Sequence, residues 1–217
     1  TAGKLAEYVT RAGLDCQCFW EWSHDHPIPI GDDLHLDQVI RTAITREVEI
    51  NALWQRFVET RQSDQVVTIL ESRFWQTSLM LMYVAGHPVD GLLKSNRRVI
   101  EIIRPLNPVL FHFRIDNLRS FVEQTIMVKE AEWQKSGLPG TWIGHIFAAF
   151  ESQPWATRRG LNGQEGFITL LEEWASISEM LYAQFPFHKL QIRNPGQNWS
   201  AAMQQIIFFL ELPCLST

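Results

Sequence analysis

Charged side chains stand at the ends of several short apolar runs in this sequence. Glu21 follows the first run, Glu71 and Arg73 follow the second, and Arg114 and Asp116 close the third. A carboxylate can take a proton from a hydroxyl group, and an arginine can hold the negative charge of a phosphate. If the fold brings these residues to one edge, the pattern predicts a site that activates a hydroxyl group beside a phosphate.

Each of these residues also has a purely structural interpretation. Every strand must end in something polar, and Arg73 could cap a helix or pair with Glu71. Three charged strand ends in one chain nevertheless favour a functional site over three unrelated turns.

Four apolar runs have the length and composition of buried strands. The second of them, Val66 to Leu70, is rich in β-branched residues, as is typical of a parallel strand covered on both faces. Between the runs, apolar residues recur every three or four positions, which predicts helices. The predicted strands are residues 14–20, 66–70, 108–115 and 190–193, and the predicted helices are 1–13, 36–60, 74–84, 89–103, 117–134, 167–185 and 199–212.

This alternation of strands and helices predicts an α/β fold with a mainly parallel sheet and helices on both faces. Ligands of such sheets bind at the carboxyl ends of the strands. Asn194, which follows the last predicted strand, joins the candidate site by this rule, although Asn-Pro-Gly at 194–196 is also a turn sequence in its own right.

Length, composition and charge limit the class of protein. The chain has 217 residues, 46% of them hydrophobic, which predicts a single domain over 1–217. The formal net charge of −5 argues against a nucleic-acid-binding protein, and no run approaches the roughly 20 apolar residues of a membrane span. Cys16 and Cys18 alternate on a predicted strand and Cys214 is distant, so we expect reduced thiols and a cytoplasmic protein.

The first residues have the pattern of a helix that is already under way. Leu5, Tyr8 and Val9 form an apolar stripe, and the following run reads as a strand, so this pair is half of a βαβ unit. We therefore expect about 10 to 25 residues before Thr1 that form a strand and a turn.

Five motifs, in a consistent order, resemble one group of proteins. They are Thr-Ala-Gly-Lys-Leu-Ala-Glu-Tyr at 1–8, Glu21-Trp22, Glu71-Ser72-Arg73, Ile-Arg-Pro-Leu-Asn-Pro-Val-Leu at 103–110, and Arg158-Arg159. Together they resemble the P-loop nucleoside and nucleotide kinases, the thymidylate kinase and deoxynucleoside kinase group, and bacterial P-loop proteins related to them. The chain departs from that pattern in two places. The phosphate loop is absent from this sequence, and Arg73 stands one position later than in the Glu-Arg-Ser order of the group.

The resemblance implies a three-layer P-loop NTPase-like fold whose first strand and Walker A loop precede Thr1. It implies ATP and Mg²⁺ as cofactors and Glu21 as the general base that orients the acceptor hydroxyl. Arg73 and one of Arg158 or Arg159 would neutralise phosphate charge. The resemblance further places Glu71, Trp22 and His26 at the acceptor, Asn194 beside the adenine and Thr1 at the nucleotide.

Residues 24–26, His-Asp-His, have the residue types of a zinc site. No distant Cys or His partner is evident in the sequence, so a loop that shapes a substrate pocket is the favoured interpretation, and we assign no metal ligand.

Residues 136–166 hold eight glycines and prolines together with Arg158 and Arg159. We expect few apolar contacts there, and hence a mobile lid that orders when nucleotide phosphates bind.

The sequence thus predicts an ATP-dependent phosphotransferase for a small hydroxyl- or phosphate-bearing acceptor, such as a nucleoside or nucleotide. The alternative is a non-catalytic nucleotide-binding or regulatory protein with a degenerate kinase fold. The expected partners are the acceptor and the nucleotide, without nucleic acid or membrane. The sequence leaves a homodimer open.

Overall fold

A computed structural model describes residues 2–21, 23–29 and 36–212 of the chain. Its strands are β1 (Cys16–Phe19), β2 (Val67–Leu70), β3 (Leu110–Arg114) and β4 (Lys189–Arg193). Its helices are α1 (Ala2–Arg11), α2 (Leu36–Thr42), α3 (Glu47–Arg61), α4 (Leu79–Val84), α5 (Val89–Ile103), α6 (Leu118–Lys135), α7 (Trp142–Glu151), α8 (Pro154–Thr157), α9 (Gly163–Gln184) and α10 (Trp199–Phe209). Short 3-10 helices lie at Arg104–Leu106 and Pro195–Gln197.

The strands are parallel, as the alternation of helices and strands predicted. β1 pairs with β2, from Cys16 opposite Val67 to Phe19 opposite Leu70. β3 pairs with β4 over its whole length. Within the described residues these are two separate sheets, where the sequence predicted one continuous sheet, because no strand pairs with the outer edges of β2 and β3. The α/β class with parallel strands is therefore confirmed.

One face of both sheets packs on a shared layer made by α1 and α10. Leu5 and Val9 of α1 and Met203 and Ile206 of α10 form the buried centre of this layer. Side chains of all four strands pack against it, namely Cys16, Val67, Ile69, Phe111 and Leu190. The two sheets are therefore held by the same helices although no hydrogen bonds between them are seen in the described residues.

The opposite face packs on helices from the middle of the chain. Trp54 and Phe57 of α3 and Ile100 of α5 are buried in one cluster, which Leu70 of β2 and Leu110 of β3 both contact. Since neighbouring residues of a strand point to opposite faces, each sheet has helices on both sides.

Two helices are shorter than the sequence predicted. The predicted helix 36–60 is interrupted at residues 43–46, where the hydroxyl of Thr45 donates to the carbonyl of Thr42 at 2.9 Å and so favours a turn over a continuing helix. The predicted helix 74–84 begins only at Leu79, because residues 72–78 form the turn that leaves β2.

Residues 136–166 contain α7 and α8, which pack into the largest hydrophobic cluster. Phe147, Phe150, Trp155 and Ala156 are all buried there. The expectation that this stretch has few apolar contacts is therefore wrong for its two helices. The glycines that remain outside them, at 137, 140 and 160, have left-handed backbone angles typical of turns.

Candidate functional site

Glu21 and Glu71 lie together at the carboxyl ends of β1 and β2. The parallel register sets Phe19 opposite Leu70, so the residues that follow both strands emerge at the same edge. The backbone N–H of Glu71 donates to the carbonyl of Phe19 at 3.0 Å, which extends the pairing by one residue. The first two strand ends singled out in the sequence thus converge, and the pairing register is the cause.

A left-handed residue turns the chain inward directly after Glu71. Ser72 has a φ of 61°, which non-glycine residues rarely adopt. The turn is closed by the hydroxyl of Ser78, which donates to the carbonyl of Arg73 at 3.1 Å, and by that of Thr77, which donates to the carbonyl of Ser72 at 3.2 Å. As a result, the side chain of Arg73 points into the protein rather than into solvent.

Arg73 is the largest fully buried side chain among the described residues, with an exposed fraction of 0%. Its guanidinium donates to the backbone carbonyl of Glu21, which ties the segment after β2 to the segment after β1. A buried charge is expensive unless other groups compensate it. The carboxylates of Glu21 and Glu71, at the same edge, supply opposite charge.

Glu21 is half-buried, and its surroundings shift the pKa of its carboxyl. Burial raises the pKa of its carboxyl above the usual value, the guanidinium of Arg73 lowers it, and the negative charge of Glu71 raises it again, with a net upward shift. A carboxylate with a raised pKa is a stronger base near neutral pH, provided that it is still ionised. The environment of Glu21 therefore suits proton transfer better than that of a free surface carboxylate.

His26 packs beneath this edge in the loop after β1. Its ring is 3% exposed and meets the ring of Phe19 edge-on, with 5.8 Å between centroids. Its Nδ1 accepts a hydrogen bond from the backbone N–H of Ile28 at 3.0 Å. Burial and the positive charge of Arg73 lower the pKa of His26 to about 4, so its imidazole is neutral at physiological pH.

Glu21, Glu71, Arg73 and His26, which we call the acid–arginine cluster, therefore form one site at the edge of the first sheet. Comparisons of the chain with protein-family models, with curated proteins and with solved structures find no match. Of the other residues assigned to the site, Thr1 and Trp22 lie outside the described residues.

Arg159 is held by another part of the fold. Its guanidinium forms an ion pair with Glu173 of α9, at 2.5 and 2.7 Å, and lies over the ring of Trp155, 5.0 Å from the centroid. Glu173 also accepts from the hydroxyl of Tyr83 at 2.6 Å. Arg158, by contrast, is exposed and forms no ion pair with the described residues. Of the two candidate lid cations, Arg158 is thus the one whose charge is not already engaged.

Asn194 is part of a turn that locks the ends of β3 and β4 together. Its φ is 47°, in the left-handed region. Its side-chain oxygen accepts from the backbone N–H of Asp116 at 2.9 Å, and its side-chain nitrogen donates to the carboxylate of Asp116 at 2.9 Å. The amide is therefore already paired, which supports the turn interpretation of Asn-Pro-Gly at 194–196 over a contact with adenine.

The sequence analysis did not single out a polar group on the second sheet. His112 of β3 stands opposite Gln191 of β4, and the amide of Gln191 donates to Glu179 of α9 at 2.9 Å. The ring of His112 lies between those of Trp75 and Tyr182, at centroid distances of 5.5 and 5.3 Å. The sequence signal for His112 was its position two residues after Leu110. Alternate residues of a strand share a face, so His112 lies on the same face of β3 as Leu110.

The contact between Trp75 and His112 links the two sheets near the candidate site. Trp75 lies two residues after Arg73, in the turn that follows β2, and its indole N–H donates to Asn96 of α5 at 3.0 Å. Arg114, at the end of β3, is 3.5 Å from Asp116 and 3.5 Å from Glu179. Charged groups therefore mark the ends of strands in both sheets.

The described residues show neither a metal-binding cluster nor a helix that could span a membrane. They contain no group of three or more His, Cys, Asp or Glu side chains arranged to hold a metal ion, so the His-Asp-His sequence at 24–26 gains no support as a zinc site. Among the same residues, no helix combines the length and apolarity that crossing a membrane requires.

Proposed function

We propose that this chain forms the larger part of a P-loop kinase-like phosphotransferase that acts on a small hydroxyl- or phosphate-bearing acceptor. The observation that carries the proposal is the acid–arginine cluster, where a half-buried carboxylate with a raised pKa stands beside a fully buried arginine at the carboxyl edge of parallel strands. Phosphoryl transfer requires a group that orients the attacking hydroxyl and cations that hold phosphate charge. Glu21 and Arg73 are suited to these two roles.

In this proposal, Glu21 accepts a hydrogen bond from the acceptor hydroxyl and takes its proton as the oxygen attacks phosphorus. Arg73 balances the negative charge that the substrate brings to the edge, and Glu71 holds a further hydroxyl of the acceptor. ATP would supply the phosphoryl group and leave as ADP, and magnesium would offset the charge of its phosphates. The carboxylate of Glu71 suits magnesium, which prefers oxygen ligands and often keeps several waters.

The finer fold is also a proposal: a three-layer P-loop arrangement with one more strand between β2 and β3. β2 has the apolar, β-branched sequence Val-Thr-Ile-Leu, yet all four residues are only half-buried. Because the N–H groups of Val67 and Glu71 donate to the carbonyls of Asp15 and Phe19, those of Thr68 and Leu70 face the other edge, where no described strand pairs.

Both sheets share their helical layers, so one parallel strand in this place would join them into a single sheet. We propose that residues preceding Thr1 supply this strand and, with the turn into α1, the cradle for the nucleotide phosphates. The N-terminal end of α1 supports this placement, since Gly3 lies so close to Trp20 that a Cβ there would come within 2.7 Å of the indole. A turn at this end of α1 would therefore stand beside the carboxyl end of β1.

The alternative, a nucleotide-binding protein without catalysis, is favoured by one observation. Arg159, a candidate cation for the transferring phosphate, is engaged by Glu173 and so has a structural role.

An ATP-consumption screen over nucleosides, nucleotides and small alcohols, carried out with the full-length protein, separates the two. Acceptor-dependent ADP formation supports the kinase. Nucleotide binding without ADP formation across the whole screen supports the non-catalytic protein.

A further inference from the structure

His26 carries a buried hydrogen-bond donor for which the described residues offer no acceptor. Its Nδ1 accepts the backbone N–H of Ile28 at 3.0 Å, so in the neutral ring the proton is on Nε2. That Nε2 is buried and makes no hydrogen bond within the described part of the chain. His26 as a whole residue is 3% exposed.

An unsatisfied buried donor costs about 1–3 kcal/mol, and native structures hold few of them. The structural task of His26, which is to accept the N–H of Ile28, requires only Nδ1. An asparagine could perform that task through its Oδ1 without a donor at the position of Nε2. The Nε2–H therefore calls for an explanation outside the fold of this loop.

The surroundings of His26 indicate what would bind there. The groups that act on its ring are the edge of Phe19, the guanidinium of Arg73, the carboxylate of Asp25 and the backbone of Ile28. Nε2–H donates, and the positive charge of Arg73 acts on the same ring. A ligand atom at Nε2 must therefore accept a hydrogen bond, which an oxygen does and an ammonium group cannot.

We propose that the Nε2–H of His26, beside the buried guanidinium of Arg73, binds an oxygen atom of the acceptor substrate. The inference rests on the proposed function and names the recognition chemistry of its site: a hydroxyl, carbonyl or phosphate oxygen. An acceptor that carries an ammonium group in place of this oxygen does not bind, because its N–H groups would meet the Nε2–H of His26 and no hydrogen bond could form. His26 is in this role a substrate-binding residue, while Glu21 handles the proton.

Two substitutions separate this role from a structural one. His26→Asn keeps an acceptor near the position of Nδ1, and so the bond to Ile28, but removes the donor at Nε2. His26→Gln carries a donor nearer the position of Nε2 and disturbs the bond to Ile28. The proposal expects His26→Asn to weaken acceptor binding tenfold or more with stability retained, and His26→Gln to retain affinity within about threefold with lower stability. A structural role alone predicts that affinity follows stability in both variants.

The direct test is nitrogen NMR of the imidazole in the full-length protein, with inorganic phosphate, thymidine and thymidine monophosphate as probes. We expect the pattern of a neutral ring protonated on Nε2, and a shift of the Nε2 resonance when a probe binds. Movement with inorganic phosphate assigns a phosphate oxygen, and movement with thymidine alone assigns a hydroxyl or carbonyl oxygen. A ring protonated on Nδ1, or an Nε2 signal that no probe moves, overturns the proposal.

These outcomes are distinguishable from a failure of the proposed function. If a probe moves the Nε2 signal but the protein consumes no ATP, the oxygen-binding site is supported and only the catalytic function is contradicted. If the protein consumes ATP but no probe moves the Nε2 signal, the kinase is supported and only the role of His26 is contradicted.

Discussion

At the scale of single residues, the candidate site depends on how burial changes acidity. Burial raises the pKa of Glu21 and lowers that of His26, and in both cases the neutral form gains. Arg73, which is fully buried, favours the ionised form of Glu21 and the neutral form of His26. The carboxylate is thus kept available as a base while the imidazole remains an uncharged donor.

Changing Glu21 to Gln tests the role of the base. If Glu21 orients the acceptor hydroxyl and takes its proton, turnover by the full-length protein falls about 10²-fold or more while nucleotide affinity stays the same. Steady-state kinetics on an acceptor from the screen and a nucleotide-binding titration provide the two measurements. Glu59→Gln, at an exposed position on α3, is the matched control. Unchanged turnover in Glu21→Gln eliminates the role.

The lowered pKa of His26 predicts an acid-sensitive fold. Because the folded-state pKa of about 4 lies below the unfolded value of 6.5, the unfolded chain binds a proton first as the pH falls. The stability that the folded protein gains from keeping His26 neutral and buried is present above pH 6.5 and is lost progressively towards pH 4. Between pH 7 and pH 5 this linkage costs about 2 kcal/mol of the free energy of unfolding.

Urea unfolding at pH 7 and pH 5 measures this effect. His26→Gln should remove about 2 kcal/mol of the difference between the two pH values, because the linked proton is gone. His24→Gln serves as control, since His24 is exposed in the same loop. An equal pH dependence in the wild type and His26→Gln contradicts the assignment.

At the scale of elements, α8 is bound to α9 more firmly than its glycine-rich surroundings predicted. Glu173 of α9 accepts hydrogen bonds from Tyr83, from the indole of Trp155 at 3.1 Å and from Arg159. One carboxylate therefore joins three elements. Only the turns on either side of α7 and α8 retain the glycine-rich character from which a mobile lid was predicted.

The two neighbouring arginines should behave differently when each is changed to alanine. We expect Arg159→Ala to lower stability by about 0.5–1 kcal/mol, because a partly exposed ion pair is lost, with turnover unchanged. We expect Arg158→Ala to leave stability unchanged and to lower turnover about 10²-fold, as loss of a cation from the transferring phosphate would. Thermal unfolding measures the change in stability, and steady-state kinetics measure the change in turnover. Full turnover in Arg158→Ala would contradict the role of Arg158 as a lid cation.

Hydrogen exchange tests the lid itself. We expect amides of residues 158–162 to exchange faster than those of α9 and to become protected when nucleotide and magnesium are added to the full-length protein. The amide of Phe147, in the middle of α7, should not change, because its side chain is buried in the core. Identical exchange with and without nucleotide, in protein that binds it, would mean that this segment is no lid.

At the scale of the whole molecule, the main unsatisfied feature of the described residues is a pair of edges, one of β2 and one of β3, with which no described strand pairs. Unpaired strand edges favour aggregation. We expect the chain extended by the native residues before Thr1 to unfold at a higher denaturant concentration and to aggregate less than residues 1–217 alone. The amides of Thr68, Leu70, Phe111 and Phe113 should be protected from exchange only in the extended chain.

A scrambled extension of the same length and composition is the control for that comparison. It should leave the four amides unprotected, because a strand in this place must present apolar residues in the correct register. Equal protection with the native and the scrambled extension, or a native reading frame that starts directly before Thr1, contradicts the additional strand.

The sequence by itself determined the local elements and the edge at which the charged residues meet. Apolar periodicity is encoded over a few residues, so the predicted helix at 89–103 coincides with α5, and the strand at 66–70 differs from β2 by one residue. The rule for parallel strands brought Glu21 and Glu71 to one edge before any coordinates were considered. These inferences depend on neighbours along the chain or on a general rule of topology.

Only the tertiary structure decided which partners the side chains take. Nothing local indicates that Arg73 turns inward through the left-handed Ser72, that Arg159 pairs with Glu173 fourteen residues away, or that the N–H of Ile28 fixes the proton of His26 on Nε2. The local sequence also gives no indication that β2 and β3 do not pair with each other. Such contacts depend on packing between distant segments, and one sequence contains no separate signal for each of them.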